Sequence, residues 1–198
     1  MKKEIVMAST NRDKIAEVEE ILTEYQVQTL QELGITVEVE EDQETFEANA
    51  RKKAETIAHA VGGKMCIADD TGIEIEALNG FPGVRTKRWY PGNDAERNQK
   101  ILEKLAGLPK EERKIRWVTA IALSNGETTI STTQALAGYV AKEARGNNSF
   151  GFSEIFELEN GRTLSEISKE EFAALSIRRK ALESIQEELE RTQEEQER

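Results

Sequence analysis

Two adjacent carboxylates follow a run of small and apolar residues in the stretch CIADDTG, residues 66–72. Neighbouring like charges resist ionising together in a low-dielectric setting, so Asp69 and Asp70 need a cation, a hydrogen-bond network or open water beside them. A divalent cation would meet this need and would give the pair a chemical role. The structural alternative is a solvated turn in which Thr71 and Gly72 cap the carboxylates.

A polar corner near the N terminus is a second candidate for chemistry. Residues 4–9 are typical of a buried strand, and residues 14–25 place apolar side chains at helical spacing. The segment TNRDK lies between them, and backbone N–H groups at such a helix start are free to receive a phosphate. The structural alternative is capping of the helix by Thr10, Asn11 or Asp13.

A lysine and a further acid are also candidates for binding a phosphate and its metal ion. A second amphipathic helix is predicted over residues 45–61, followed by two glycines, and it carries Lys53. The acidic segment before it carries Glu41. Mg2+ prefers one or two carboxylates together with substrate phosphates and water, and lysines neutralise the remaining phosphate charge. Together with Asp70, these residues suit a magnesium-polyphosphate site.

The remaining chain alternates between strand and helix signals. We predict strands over residues 65–70, 71–78, 115–124 and 128–142 and a helix over residues 93–107. Ser168 and Glu171 form a capping-box signature for a further helix. These patterns indicate an α/β chain with antiparallel strand pairs.

Composition excludes several classes of function. The net charge is −11, and residues 183–198 hold seven glutamates against two arginines, which argues against stable binding to duplex nucleic acid. No apolar run approaches a membrane span, and the first residues do not form a secretory signal, so we expect no membrane association and a cytoplasmic protein. A single cysteine and a single histidine provide no zinc cluster, so any metal must bind to oxygen ligands.

Five motifs occur in the order and spacing of the inosine-triphosphate pyrophosphatase family: ASTNRDK, ETFEANARKKA, ADDTGIEIEALNGFPG, SFGFSEIF and ALSIRRKAL. The chain resembles this family from Ile5 to about Leu189. The resemblance implies an elongated mixed β-sheet flanked by helices, with two lobes and a nucleotide cleft between them, and commonly a homodimer. We therefore expect one two-lobed domain over residues 1–189 and an acidic frayed tail over residues 190–198.

The resemblance also implies a reaction, the Mg2+-dependent hydrolysis of a nucleoside triphosphate to the monophosphate and diphosphate. Glu41 and Asp70 would bind the metal, Asp70 would be the base for the attacking water, and Asp69 would shape the carboxylate pair. Thr71 would contact the substrate. The triphosphate would be held by Ser9, Thr10, Asn11, Lys14 and Lys53.

The sequence departs from the family pattern where the base is recognised. The aromatic-Gly-aromatic motif keeps Phe150 and Phe152 for stacking, although both could simply be core residues, but Ser153 replaces the base-reading Asp. The family Lys becomes Phe172 and the family His becomes Ile177, whereas the Arg is kept as Arg178. Polar groups that read a base edge give strong discrimination, so their loss indicates a shifted or relaxed base preference.

Three further functions remain as alternatives from the sequence. The same chemistry on an ordinary or pyrimidine nucleotide would fit the altered base-recognition residues. A nucleotide-binding protein without turnover would keep the fold, although the intact acids and lysines disfavour it. An acidic interaction protein would use the glutamate-rich tail, and removal of residues 190–198 would then abolish its function.

Overall fold

A computed structural model describes residues 2–147 and 150–196. The strands of this part of the chain are β1 Lys3–Met7, β2 Tyr25–Thr29, β3 Cys66–Ile75, β4 Lys114–Ser124, β5 Thr129–Val140 and β6 Phe156–Glu157. Its α-helices are α1 Arg12–Ile21, α2 Phe46–Ala60, α3 Asp94–Lys104, α4 Lys169–Leu175 and α5 Ile177–Gln196.

The strands form one six-stranded sheet in the order β2-β1-β3-β4-β5-β6. β1 runs parallel to β2 and to β3, whereas β5 and β6 are antiparallel. The sheet is therefore mixed, and the predicted α/β class with a mixed sheet and flanking helices is confirmed. None of the helices in the described residues is long and apolar enough to cross a membrane.

Side chains alternate between the two faces of β1 and β3, and each face has its own helices. Met7 and Ile67 lie in a buried cluster with residues of α1 and α5. Val6 and Cys66, one position away on each strand, lie in a second cluster with residues of α2. Because successive residues of a strand point to opposite faces, the α1 and α5 side and the α2 side of the sheet are separate surroundings.

The end of the first helix differs from the prediction. We predicted a helix that reaches Tyr25, but α1 ends at Ile21 and Tyr25 begins β2. The backbone of β2 pairs with β1 from Lys3 opposite Tyr25 to Met7 opposite Thr29. This pairing between segments distant in sequence outweighs the helical spacing of the apolar residues, and local periodicity does not show it.

The two strands predicted over residues 65–70 and 71–78 are one continuous strand. β3 runs for ten residues, and Asp69 and Asp70 lie in its middle with side chains only 4% and 7% exposed. The alternative of a solvated turn at this position is therefore wrong. The backbone keeps its ladder pairing through the carboxylates, so the charges must be compensated by side chains from other elements.

The helix signals of the middle and C-terminal regions are confirmed. Thr45 caps α2 by accepting a hydrogen bond from the Ala48 N–H, and the glycine pair at residues 62–63 ends the helix with positive φ angles. The predicted capping box of Ser168 and Glu171 is present at α4. α5 extends to Gln196, and residues 197 and 198 of the predicted frayed tail lie outside the described residues.

The described chain divides into two compact units. The first contains residues 2–71, 119–134 and 177–196, and the second contains residues 72–118, 135–147 and 150–176. β3, β4 and β5 each contribute residues to both units. The predicted nucleotide cleft between two lobes stays a prediction.

Replacement of Gly138 by alanine tests the packing of β5 against β6. A Cβ at Gly138 would come within 2.6 Å of the Phe156 ring and 2.6 Å of the Glu157 carbonyl oxygen. Because Phe156 is fully buried and cannot move aside, Gly138→Ala should lower the free energy of unfolding by about 1–3 kcal/mol in urea denaturation. Gly161→Ala is the reference for backbone strain alone, since no atom lies within 4 Å of its Cβ and only its φ of +83° opposes the change, whereas Gly138 has no positive φ. A loss below about 0.5 kcal/mol for Gly138→Ala would contradict this packing.

Candidate active site

Asp69 and Asp70 leave β3 on opposite faces of the sheet. Asp69 follows Ile67 by two residues and faces α1 and α5, where it contacts Lys14 and Arg178. Asp70 faces α2, where it contacts Asn49. The pleat of the strand therefore gives each carboxylate its own set of partners, and this answers how two adjacent buried acids are tolerated.

Asp69 is held as an anion by two cations. Its Oδ2 accepts hydrogen bonds from Lys14 Nζ at 2.7 Å and from Arg178 Nη2 at 3.2 Å. Burial alone would raise the pKa of Asp69, but the charges of Lys14 and Arg178 outweigh it and hold the pKa below its ordinary value. A carboxylate in this state is a poor proton acceptor, and it fixes the positions of its two partners.

Asp70 has the opposite electrostatic character. Its Oδ2 accepts a hydrogen bond from Asn49 Nδ2 at 2.9 Å, and its Oδ1 accepts one from the Thr71 N–H at 2.9 Å. The pKa of Asp70 is raised from 3.8 to about 6, chiefly by burial and in smaller part by the charge of Glu41, against the opposing effects of the Asn49 hydrogen bond and the Lys53 charge. A buried carboxylate with a pKa near 6 is suited to accept a proton close to neutral pH.

Asn49 is a member of the site that the sequence reasoning did not assign. It is buried, and its Oδ1 accepts a hydrogen bond from the Gln43 N–H at 3.0 Å while its amide donates to Asp70. The amide therefore has a fixed orientation, which fixes the Asp70 carboxylate in turn. Its position four residues before Lys53 on α2 is the sequence signal that indicates a shared helix face.

Lys53 joins the acids of the α2 side. Its Nζ forms an ion pair with Glu41 and donates to the backbone carbonyl oxygen of Asp69 at 3.0 Å. The charge of Lys53 also lowers the pKa of Asp70, and that of Glu41 raises it, so the three side chains share one electrostatic environment. The structure thus brings together Glu41, Lys53 and Asp70, as the sequence predicted.

The donors at this position fit Mg2+. Glu41 and Asp70 supply hard carboxylate oxygens near each other, and a divalent cation would relieve the repulsion that raises the pKa of Asp70. In the part of the chain that the structure describes, no group of three or more His, Cys, Asp or Glu side chains could enclose a metal ion. Two carboxylates match an ion that takes its other ligands from water and phosphate.

The corner before α1 carries the predicted phosphate-binding residues Ser9, Thr10 and Asn11. The Asn11 N–H donates to Ser9 Oγ at 3.1 Å, and Asn11 Oδ1 accepts from the Lys14 N–H at 3.4 Å. The capping alternative is therefore confirmed for Asn11, and Thr10 is exposed at the helix start. Phosphate binding at this corner stays a prediction.

Thr71, the predicted substrate contact after the carboxylate pair, is partly buried. Its hydroxyl is 2.7 Å from the hydroxyl of Thr119 on β4, and its backbone N–H donates to Asp70. Arg178, predicted to bind the substrate, bonds to Glu17 and Asp69, both at 3.2 Å. In this structure Arg178 therefore holds Asp69, and its contact with the substrate stays a prediction.

Phe150 and Phe152 belong to an aromatic cluster with Trp117 and Phe172. Trp117 stacks on Phe172 with ring centroids 5.8 Å apart, and Phe150 meets Phe172 edge to face at 5.1 Å. Phe152 is a core residue, 8% exposed, whereas Phe150 is 44% exposed and presents its ring to solvent. Of the two predicted stacking residues, only Phe150 offers an open ring surface.

Hydrogen bonds hold the backbone around Phe150. Ser153 is fully buried, and its Oγ accepts from the Phe150 N–H at 3.1 Å. Asp94 and Asn98 of α3 bond to the N–H and the carbonyl oxygen of Gly151, at 3.0 Å and 2.9 Å. Ser153 thus supports the loop, and its predicted contact with a base stays a prediction.

Known proteins resemble this chain over nearly its whole length. The model of the Ham1 family matches residues 5–188. The dITP/XTP pyrophosphatase of Bacillus subtilis (strain 168) is 40% identical over 190 residues, which are 92% of this chain and 95% of that protein. The dITP/XTP pyrophosphatase of Clostridium perfringens (strain 13 / Type A) is 34% identical over 199 residues, covering 94% and 97%.

Solved structures show the same fold. The Staphylococcus aureus Ham1 protein superposes with a TM-score of 0.88 at 36% identity, covering 95% of this chain and 98% of its own. A HAM1 protein from Coxiella burnetii superposes with a TM-score of 0.87 at 36% identity, covering 96% and 99%. The family resemblance drawn from the sequence motifs is confirmed by these matches.

Neutral replacements of the two carboxylates should change stability in opposite directions. Asp70→Asn removes an acid whose pKa is raised in the folded state, which favours the folded metal-free protein by roughly 1–3 kcal/mol at pH 7, and the loss of the acceptor for either the Asn49 amide or the Thr71 N–H offsets part of this gain. The gain should vanish as the pH falls from about 6 to below 3.8, because Asp70 is then protonated in both states. Urea unfolding of the wild type and the variant at several pH values, in a chelating buffer, measures this change in the free energy of unfolding.

Asp69→Asn is the matched comparison on the adjacent residue. It leaves Lys14 and Arg178 without their shared anion, so it should destabilise the protein by roughly 3–5 kcal/mol at pH 7. The loss should shrink at acid pH, where the wild-type Asp69 is protonated as well. A change of the same sign for both variants at pH 7 would contradict the separation of the carboxylates.

Proposed function

Because the chain belongs to the Ham1 family, we propose that it is a metal-dependent nucleoside triphosphate pyrophosphatase. The observation that carries the proposal is the placement of Glu41, Lys53 and Asp70 on one side of the sheet, with the pKa of Asp70 raised to about 6. The reaction is attack of water on the α-phosphorus, which releases a nucleoside monophosphate and diphosphate. The names of the relatives, dITP/XTP pyrophosphatases, support this chemistry.

Binding of the triphosphate uses the cations of the site and the corner before α1. Lys14 and Lys53 face the carboxylates and neutralise phosphate charge, and Ser9, Thr10 and Asn11 offer backbone and side-chain donors at a helix start. Glu41 and Asp70 would hold the Mg2+. When bound, the ion neutralises phosphate oxygens and orients the triphosphate.

Asp70 is the base of the proposed reaction. The Asn49 amide and the Thr71 N–H fix its carboxylate, so the oxygen that takes the proton of the attacking water has a defined position. As water attacks the phosphorus, one proton passes to Asp70 and the bond to the leaving diphosphate breaks. The raised pKa of Asp70 favours an enzyme over a binding protein without turnover.

Asp69 is a positioning residue in this proposal. It holds Lys14 and Arg178 in place, and its lowered pKa makes it unsuited to accept a proton near neutral pH. Its contribution to catalysis is therefore indirect. It keeps Lys14 directed at the site while the phosphate groups enter.

We propose that the base preference is relaxed compared with the dITP and XTP in the names of the relatives. In this proposal the base side of the substrate is bound by Phe150, Phe152, Ser153 and Arg178. Thr71 also contacts the substrate. Phe172 is an aromatic partner of Trp117, and Ile177 is fully buried, so neither can donate a hydrogen bond to a base edge. A site with fewer polar readers discriminates less between bases.

The assembly and location of the protein are also proposals. We propose a homodimer, on the family resemblance identified from the sequence, and a cytoplasmic location, on the composition of the chain. Sedimentation at micromolar concentration tests the first part, and a single species of the 22.3 kDa monomer mass would contradict it.

A panel of nucleoside triphosphates tests the reaction. With Mg2+ present, inosine, xanthosine and deoxyinosine triphosphates should give diphosphate and the monophosphate, and at least one ordinary nucleotide should react at a comparable rate. Chelation of the metal should abolish turnover. Release of orthophosphate instead of diphosphate would contradict the reaction, and activity confined to inosine and xanthosine nucleotides would contradict the relaxed base preference.

Replacement of the proposed base tests its role separately. Asp70→Asn should lower kcat by roughly 10²–10⁴-fold, because the amide keeps the shape of the side chain but accepts no proton. Glu74→Gln is the control: this carboxylate is on the same strand and pairs with Arg116 at 3.2 Å, outside the proposed machinery, so turnover should persist. An undiminished rate in folded Asp70→Asn would remove Asp70 from this role.

A further inference from the structure

Arg113, just before β4, is a buried arginine whose side chain has no hydrogen-bond or ion-pair partner in the part of the chain that the structure describes. Its side chain is only 6% exposed, and its Nε has no hydrogen-bond partner among residues 2–147 and 150–196. Arg97, Arg145 and Arg178 also bury an Nε without a hydrogen-bond partner among the described residues, but each of them reaches a carboxylate through an ion pair. No carboxylate of the described residues forms such a pair with Arg113.

The burial of the Arg113 Nε–H group without an acceptor costs free energy. Buried charges in proteins are normally paired, because the free energy of desolvation is not otherwise recovered. Arginine cannot escape the cost by losing its proton in the accessible pH range. A buried polar group without a partner therefore indicates a ligand or water that supplies the acceptor.

Arg113 lines a surface cavity that has room for such a ligand. The cavity has a volume of about 490 Å³, which is in the range of small-molecule sites. A second cation, Lys142, lines it, and the remaining wall is apolar or glycine, including Leu102, Leu108 and Pro109. Within the described part of the chain, no acidic side chain belongs to the lining.

We propose that this cavity binds a phosphate-type oxyanion through Arg113 and Lys142. The guanidinium offers a planar fork of donors that matches two oxygens of a phosphate, and the lysine adds a second positive charge. Water alone would satisfy the N–H groups but would leave the charge of the buried Arg113 without a counterion, whereas Lys142 is exposed to solvent. The cavity shares no residue with the candidate active site, so the oxyanion site is a separate feature of the protein.

Titration with inorganic phosphate at constant ionic strength tests the site. Calorimetry on the full chain should detect binding, and the melting temperature should rise by a few degrees at saturation. Arg113→Met keeps the apolar stem but removes the donors, so phosphate affinity at this site should fall roughly 10–100-fold. Lys142→Met should weaken it less, and both variants should keep nucleotide turnover.

Two controls separate this site from other phosphate contacts. Lys114→Met, which removes an exposed cation next to Arg113 in the sequence, should leave phosphate affinity unchanged. Lys53→Met should remove phosphate bound at the candidate active site and leave the Arg113-dependent fraction intact. Equal phosphate responses in the wild type and Arg113→Met, or no response in the wild type, would overturn the proposal.

A carboxylate of a second copy of the chain is the competing occupant. In that case Arg113→Met would change the oligomeric state in sedimentation, while phosphate would have no Arg113-dependent effect. This combination would also overturn the oxyanion site. An unchanged oligomeric state together with lost phosphate binding supports it.

Discussion

The alternation of side chains along β3 is the constraint on which the candidate active site depends. A strand sends neighbouring residues to opposite faces, so Asp69 and Asp70 enter different surroundings although they are adjacent in the sequence. On one face Lys14 and Arg178 hold an anion, and on the other Asn49 holds a carboxylate whose pKa is raised to about 6. One short segment thus supplies both a fixed counterion and a proton acceptor.

The flanking helices supply the partners of the two carboxylates. α2 brings Asn49 and Lys53 to the Asp70 side, where Lys53 also pairs with Glu41, and α1 brings Lys14 to the Asp69 side. Lys53 links the two arrangements, because it also donates to the backbone carbonyl oxygen of Asp69. The acids and cations of the first unit therefore form one network, in which each lysine that we assign to phosphate is already ordered by a carboxylate.

Much of this arrangement can be predicted from the sequence where the signals are local. Thr45 and the glycine pair at residues 62–63 mark the ends of α2, and the motifs around Asp70 indicate the family. The opposite faces of the carboxylates were not predicted although the predicted strand over residues 65–70 holds both, because their separate partners Lys14, Arg178 and Asn49 lie on helices distant in sequence. The place of Tyr25 in β2 and the stacking of Trp117 on Phe172 were also not predicted. Strand pairing and ring stacking join segments that are distant in sequence, and local patterns do not show them.

The central claim is that the adjacent carboxylates titrate as two unlike groups. Carbon-13 NMR of the labelled side-chain carboxyls, recorded against pH in the metal-free protein, measures both directly. Asp70 should titrate near pH 6 and Asp69 below the ordinary value of 3.8, with the Asp70 transition moving to lower pH when Mg2+ is added. An Asp70 that titrates at its ordinary value, or a raised pKa for Asp69, would contradict the account.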